Sequence, residues 1–137
     1  MESKIEIINH TADIGIKVSG KTIEELFLNS AKGLYEIIDV KYNGYEDLLK
    51  INLRGDNLEE LLIKFLNELI YYIETKKIGG DIEKVKIENV KGEYELNVEL
   101  KVKKIENIGK EVKSATYHNL KIEKVKDQYY TVIIFDL

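Results

Sequence analysis

The sequence of 137 residues contains no cysteine, no proline and no tryptophan, and a single methionine. Without cysteine there are no disulfides, no cysteine-ligated zinc and no thiol chemistry. No apolar run reaches about 18 residues, the length expected of a membrane-spanning helix. The start, Met1-Glu2-Ser3-Lys4, lacks the basic and then apolar layout of a secretory signal. These absences predict a cytoplasmic protein that does not engage a membrane.

The composition predicts one globular domain over residues 1–137, because no proline and no serine- or glycine-rich linker marks a boundary. Net charge is −4, but its distribution is uneven. Residues 1–75 hold 8 Lys or Arg against 14 Asp or Glu, whereas residues 101–126 hold 8 Lys against 3 Glu. Such a basic segment can meet RNA or an acidic partner. The alternative is that its lysines are the solvated sides of amphipathic strands.

The first helix is predicted over Thr22–Ile38. Its start, Thr22-Ile23-Glu24-Glu25, has the form of a capping box, in which the Thr22 hydroxyl accepts a free N–H and Glu25 reaches back. Apolar residues then follow at helical spacing: Ile23, Leu26, Phe27, Ala31, Leu34 and Ile38.

For the second helix we predict Asp56 as the N-cap, with Glu59 closing the box. A broad apolar stripe runs from Leu58 to Ile73, and Gly79-Gly80 has the character of a stop signal just beyond the helix.

The remaining segments alternate apolar and polar residues, which predicts antiparallel strands with one face on the helices and one partly solvated. The expected order is strand, strand, helix, strand, helix and four strands, a two-layer α+β domain. The strand segments are Ile5–Ile7, Ile14–Val18, Leu49–Leu53, Ile82–Glu88, Tyr94–Val102, Val112–Lys124 and Thr131–Leu137.

The first candidate site is His10-Thr11-Ala12-Asp13, at the junction of two short strands. Asp and Thr side chains at such junctions often just bond nearby backbone N–H groups and make the turn. His10 is equally well explained as a histidine satisfied at a strand end. On its own this motif suggests a site without specifying its chemistry.

The second candidate site is the ending Val132-Ile133-Ile134-Phe135-Asp136-Leu137. There the carboxylate of Asp136 and the α-carboxylate of Leu137 bring negative groups together. Such a cluster is unfavourable unless it is solvated, protonated or bridged by a hard cation such as Ca²⁺ or Mg²⁺. The alternative is a hydrated chain end.

The third candidate site is Glu111–His118. In strand geometry Ser114, Thr116 and His118 would share one face with Val112, Leu120 and Ile122, and Lys113 would lie opposite. Lys113 can reach a phosphate or a carboxylate as a compact charge, or it can be an ordinary solvated lysine. Cross-strand hydrogen bonding is the structural explanation for Ser114 and Thr116.

Several catalytic signatures are missing from the sequence. There is no glycine-rich phosphate loop, no dinucleotide fingerprint, no local serine-hydrolase motif, and two histidines are too few for a histidine-rich zinc site. RNA-binding strands of the RNP type are absent too, although nine tyrosines leave base stacking open. We therefore do not expect a free-standing enzyme.

Taken in order, the motifs resemble the archease family over nearly the whole chain. The matching segments are His10-Thr11-Ala12-Asp13-Ile14-Gly15-Ile16, the helix Thr22–Ile38, Asp56-Asn57-Leu58-Glu59-Glu60-Leu61-Leu62, Lys113–His118 and Val132–Leu137. The resemblance implies a two-layer α+β fold of nested strand–helix–strand–strand units. It also implies a non-catalytic protein cofactor of the RtcB-type RNA ligase in tRNA splicing, which promotes ligase guanylylation and multiple turnover and broadens nucleotide use. Contact with tRNA would be indirect, through the ligase.

By position, the resemblance implies that Asp13 and Asp136 are metal ligands, completed by the terminal oxygens of Leu137. The implied ion is Ca²⁺, with Mn²⁺ or Mg²⁺ as alternatives. Lys113 would be a functional basic residue, and His10 and His118 secondary candidates.

The sequence departs from the family pattern in two places, since Phe65 replaces an expected tryptophan and Lys103–Lys110 lacks a Gly-Glu-rich loop. Two other classes remain open. One is a small metal-dependent phosphoester hydrolase or nucleotidyl-transfer enzyme, and the other is an RNA-binding or chaperone module.

Overall fold

A computed structural model describes residues 4–9 and 13–137, and it confirms the α+β class with antiparallel strand pairing. The segment expected as one strand over Val112–Lys124 is instead two short strands joined through turns. The elements are β1 (Ile5–Asn9), β2 (Asp13–Gly20), α1 (Ile23–Ile38), β3 (Val40–Gly55), α2 (Leu58–Tyr71), β4 (Ile78–Val90), β5 (Glu93–Ile108), β6 (Ser114–Thr116), β7 (Glu123–Val125) and β8 (Gln128–Asp136).

The strands form two sheets rather than one. A three-stranded sheet, in the order β3-β5-β4, is built from one continuous stretch that also contains α2. A five-stranded sheet, in the order β1-β2-β8-β6 with β7 also paired to β8, takes its strands from both sides of that stretch. The three-stranded unit is thus inserted into the five-stranded one, as the nested architecture requires. As a result β2, from the first part of the chain, pairs with the last strand, β8.

Both helices begin with a side-chain cap, but the second begins one residue later than the sequence predicted. The Thr22 hydroxyl accepts from the Glu25 N–H at 3.0 Å, as expected. At α2 the cap is Asn57 rather than Asp56, with the Asn57 carboxamide oxygen accepting from the Glu60 N–H at 2.8 Å. The Glu60 carboxylate in turn accepts from the Asp56 N–H at 2.9 Å.

The prediction that Gly79-Gly80 stops the second helix is wrong. The helix passes into a π-helical turn over Tyr72–Lys76, which ends at Lys77 in the left-handed region (φ 57°). Gly79 and Gly80 lie within β4. A Cβ at Gly80 would overlap the Lys101 carbonyl oxygen, so glycine is required there by the close approach of β5.

A single core joins the two sheets through the helices. Both helices contact strands of each sheet, α1 through β2 and β4 and α2 through β3 and β6. The helices meet where the rings of Phe27 and Phe65 stack with centroids 6.1 Å apart, both fully buried. Phe65 therefore fills the core position for which tryptophan was expected. Within the described part of the chain, none of the helical segments combines the length and the hydropathy of a membrane-spanning helix.

Candidate functional site

Asp13 and Asp136 face each other across the β2–β8 ladder. Asp13 is the first residue of β2 and Asp136 is the last residue of β8, and they are directly paired in the antiparallel register. Side chains of directly opposed residues project from the same face of a sheet, with Cβ atoms about 5 Å apart. The two carboxylates predicted separately from the chain's start and end therefore lie side by side.

The environment of the Asp13 carboxylate favours the binding of a cation. Its side chain is half-buried, and its Oδ1 atom is buried without a hydrogen-bond partner in the described part of the chain. A buried carboxylate oxygen without a partner is costly, and a second carboxylate opposite adds repulsion. Asp136, the residue opposite, is exposed, and its carboxylate is the second charge of this repelling pair. A hard divalent cation between the two would offset both penalties.

Strand β6 completes the site on the far side of Asp136. The Lys113 N–H donates to the Asp136 carbonyl at 2.9 Å, and Ser114 pairs with Asp136 in the ladder. The Ser114 hydroxyl donates to Asp136 Oδ2 at 3.4 Å, and the Thr116 hydroxyl donates to the Ile134 carbonyl at 2.9 Å. Cross-strand hydrogen bonding of Ser114 and Thr116 is thereby confirmed.

The prediction of one shared face from Val112 to Ile122 is wrong. The strand ends at Thr116, so His118 lies in a turn, exposed, with its N–H 3.4 Å from the Thr116 hydroxyl. Ala115, rather than Ser114 or Thr116, is buried toward α2. The Lys113 side chain is exposed, and only its backbone N–H contacts Asp136. His10, together with Thr11 and Ala12, lies outside the described residues.

Two polar residues of α2 hold β6 and the segment that follows it, a role that the sequence pattern predicts for neither. Asn67 bonds both backbone groups of Ala115: its Oδ1 accepts from the Ala115 N–H at 2.7 Å, and its Nδ2 donates to the Ala115 carbonyl at 3.2 Å. The Glu59 carboxylate accepts from the Ile122 N–H at 3.1 Å. An asparagine in mid-helix, where the residue is a poor helix former, was the available signal.

The donor set fits a hard cation only if oxygens other than carboxylate side chains contribute. No group of three or more His, Asp or Glu side chains converges in the described ranges. The side chains of Asp13 and Asp136 would therefore supply two carboxylate ligands, and the other ligands would be different oxygens. Leu137, which is half-buried against the core, follows Asp136 directly. The Ser114 hydroxyl is a further oxygen within the cluster. Ca²⁺ accepts such mixed oxygen ligands with loose geometry.

A separate cavity of about 780 Å³ lies between α1 and the start of β4, with Tyr35, Tyr42, Asp39 and Asp81 in its lining. Burial, with a smaller contribution from the Asp81 carboxylate, raises the pKa of Tyr42 to about 12. Burial also raises the pKa of Tyr35, to which Tyr42 adds a lesser effect. Both phenols are therefore neutral over the physiological range.

Two lysines of the basic segment form ion pairs on the three-stranded sheet. Lys101 contacts Glu83 at 3.3 Å and Lys103 contacts Glu46 at 3.4 Å, both on the three-stranded sheet. These lysines are exposed sides of amphipathic strands, as the simpler interpretation of the charge asymmetry had it.

Both the sequence and the fold are similar to those of known proteins. The sequence matches the archease protein family over residues 5–137. A protein archease of Pyrococcus furiosus is 37% identical over 127 residues, 89% of this chain and 89% of that protein. The solution structure of a Methanobacterium thermoautotrophicum protein has a TM-score of 0.77 at 24% identity, covering 98% of this chain and 99% of that one. The crystal structure of a Thermotoga maritima archease, described as a possible chaperone, has a TM-score of 0.68 at 27% identity over 100% of both chains.

Proposed function

The chain belongs to the archease family, and we propose that it acts as a non-catalytic activator of an RtcB-type RNA ligase in tRNA splicing. In this proposal it promotes guanylylation of the ligase, sustains multiple turnover and broadens nucleotide use. It reaches tRNA only through the ligase, and it works in the cytoplasm with that partner.

One observation carries the proposal: the pairing of Asp13 with Asp136, with a buried Asp13 oxygen that has no partner among the described residues. A protein that merely folds gains nothing from two like charges placed side by side, since they repel. We propose that Asp13, Asp136 and the terminal oxygens of Leu137 hold a divalent cation, with Ca²⁺ expected and Mn²⁺ or Mg²⁺ as alternatives. Such an ion, when bound, supplies positive charge to phosphate oxygens.

The chain's own residues position this tip. Asp13 and Asp136 sit on paired strands rather than on loops, so the separation of their side chains is fixed by the ladder. The Lys113 N–H holds the Asp136 backbone, and the Lys113 side chain is exposed. We assign Lys113 the role of contacting a phosphate or carboxylate of the ligase complex as a point charge. His118 and His10 are secondary candidates for the same contact.

A ligation assay tests the proposal. RtcB-type ligase, RNA halves, GTP and Mn²⁺ are combined with this protein at one tenth of the ligase concentration. Activation predicts several-fold more ligation events per ligase molecule than the ligase gives without it. Unchanged turnover would refute the activator assignment.

The same preparation separates the alternatives. Phosphoester hydrolysis by the protein alone, lost in Asp136→Ala, would indicate an enzyme. Binding of unrelated RNAs that weakens linearly in log affinity against log salt would indicate an RNA-binding module. Suppression of aggregation of unrelated unfolded proteins would indicate a general chaperone, the role that the description of the Thermotoga structure suggests for that protein.

A further inference from the structure

The five-stranded sheet has a solvent-facing side that no described helix covers. The inward residues Ile14, Ile16, Ile133 and Phe135 are buried in the core. Their neighbours along β2 and β8 point the other way, and the register aligns them with residues of β1 and β7. We call this side the outer face, and it consists of Glu6, Ile8, Gly15, Lys17, Glu123, Val125, Tyr130, Val132 and Ile134.

The outer face carries an apolar strip. Ile8, Val125 and Val132 are 36%, 51% and 39% exposed, and they are three of the seven large hydrophobic side chains exposed on the described chain. Gly15 lies between Ile8 and Ile134, and a Cβ there would come within 3.1 Å of the Ile134 side chain. The absence of a side chain at Gly15 therefore flattens the centre of the strip. At its far end Val125 and Tyr130 border a hollow of about 570 Å³.

The other sheet provides an internal comparison. Its solvent-facing side is covered with charge, including the cross-strand ion pair Arg54–Glu95 at 2.9 Å. Among the side chains that the structure describes, Leu48, 49% exposed opposite Lys101, is the one large exposed hydrophobic residue on that side. A solvated sheet needs no apolar strip, so the outer face of the five-stranded sheet is the exception.

The strip ends at the candidate metal site. Asp13 and Asp136 are one position beyond Ile14 and Phe135, so their side chains project from the same side as Gly15 and Ile134. The carboxylates and the apolar strip are therefore one continuous surface. A partner that receives the carboxylates is placed to cover the strip.

The size of this surface indicates a transient partner. β2 has eight residues, which span about 26 Å, and four neighbouring strands span about 19 Å, for a flat footprint of about 500 Å². A standard stable interface buries about 800 Å² per partner, and obligate dimers bury more. The footprint thus suits an activator that acts in catalytic amounts better than it suits a permanent dimer of this chain.

We propose that the outer face is the surface through which the chain docks on the RNA ligase, with the Asp13–Asp136 end directed at the ligase active-site entrance. This inference rests on the proposed function and adds the surface that performs it. An RNA-joining enzyme must bind a polyanion, so its entrance is positively charged. The acidic end complements that charge, and the apolar strip supplies the desolvated contact area.

The test compares three single variants by calorimetric titration into purified ligase, alongside ligation turnover. Val132→Glu and Ile8→Glu place a charge within the strip, and Lys17 lies beside position 132 to accept it. Leu48→Glu is the matched control, because it makes the same kind of change at an exposed residue of the other sheet. We expect at least tenfold weaker binding for Val132→Glu and Ile8→Glu, with Leu48→Glu binding like the unmodified chain. All three must keep a cooperative thermal transition.

The outcomes separate this inference from the proposed function. If the unmodified chain activates the ligase and both strip variants bind as tightly as it does, the docking face is wrong while the proposed function stands. If the unmodified chain neither binds nor activates, both are wrong. If sedimentation velocity shows a dimer that Val132→Glu dissociates, a second copy occupies the face and the ligase assignment is overturned.

Discussion

Asp13 and Asp136, close to opposite ends of the chain, form a directly opposed pair in the β2–β8 ladder. The inserted three-stranded unit makes this possible, since it leaves the first two strands and the last strand in one sheet. The pair is unfavourable by itself, because one buried oxygen has no partner in the described chain and the two charges repel. The free energy of unfolding of the chain should therefore depend on divalent cations through this pair, whereas ordinary surface carboxylates produce no such dependence.

The effect of replacing either carboxylate on the free energy of unfolding should change sign when calcium is added. In chelator, Asp13→Asn and Asp136→Asn should be as stable as the unmodified chain or more stable by about 1 kcal/mol, because repulsion is relieved. With Ca²⁺ at about 100 times its dissociation constant, the unmodified chain should gain about 2.7 kcal/mol, and the variants much less. Urea unfolding in both conditions measures this. Asp127→Asn, in an exposed turn, is the control and should respond to calcium like the unmodified chain. Equal calcium responses in all four proteins would exclude the site.

Asn67→Ala should destabilise the fold and loosen the site. The change removes two hydrogen bonds and leaves both backbone groups of Ala115 without their partner, at a cost of about 2–3 kcal/mol. Hydrogen exchange at Ala115 should accelerate, and calcium affinity should fall because β6 also carries Ser114. Asn52→Ala removes an exposed bond to Asn97 and should cost less than about 0.5 kcal/mol. Equal stability losses in the two variants would mean that Asn67 is not a specific anchor.

Tyr42 should make the fold sensitive to alkali. Its pKa is raised to about 12, chiefly by burial, so the folded state keeps the phenol neutral after the unfolded chain has begun to ionise. This contribution is complete below about pH 10 and is lost as pH rises towards 12. Because the ring is only half-buried, we discount the effect for solvent screening to about 1 kcal/mol. The unmodified chain should lose that much more stability than Tyr42→Phe between pH 9 and about 12 in chemical unfolding. Parallel curves for the two proteins would contradict the assignment.

Lys113→Ala should reduce ligase turnover severalfold without changing stability by more than about 0.5 kcal/mol, because its side chain is exposed. The backbone N–H bond to Asp136 does not depend on the side chain. Lys113→Arg should restore part of the activity, since it keeps the charge but not the compact ammonium. Lys110→Ala, at a nearby exposed lysine, serves as the control for general loss of positive charge. If Lys110→Ala lowers ligase turnover as much as Lys113→Ala does, Lys113 contributes only to the net positive charge and has no specific contact.

Local rules account for much of the fold. Thr22 was identified as a helix cap from four residues, and the alternation from Leu96 to Val102 predicted a buried strand face that the structure has. The second cap was misplaced because Asp56 and Asn57 are both good caps and are followed at the same spacing by Glu59 and Glu60. The local sequence therefore fits two registers equally well. The structure uses Asn57 with Glu60, and Glu59 is left to bind the Ile122 N–H.

Features that depend on contacts between residues far apart in the chain could not be predicted from the sequence. The local pattern predicts Gly80 as a helix stop. Its close contact with Lys101 on another strand is invisible to such a pattern. The division into two sheets and the anchoring of Ala115 by Asn67 are likewise set by tertiary packing. The candidate site was accessible through the family resemblance, which joined two chain-end motifs that were each weak alone. Its pairing geometry required the ladder.

The most direct test of the central claim is the number of ligation events per ligase molecule with substoichiometric amounts of the unmodified chain, Asp136→Asn or Asp127→Asn. The account predicts raised turnover with the unmodified chain and with Asp127→Asn, and for Asp136→Asn no more turnover than with the ligase alone. Full activation by Asp136→Asn would show that the Asp13–Asp136 pair does not carry the function.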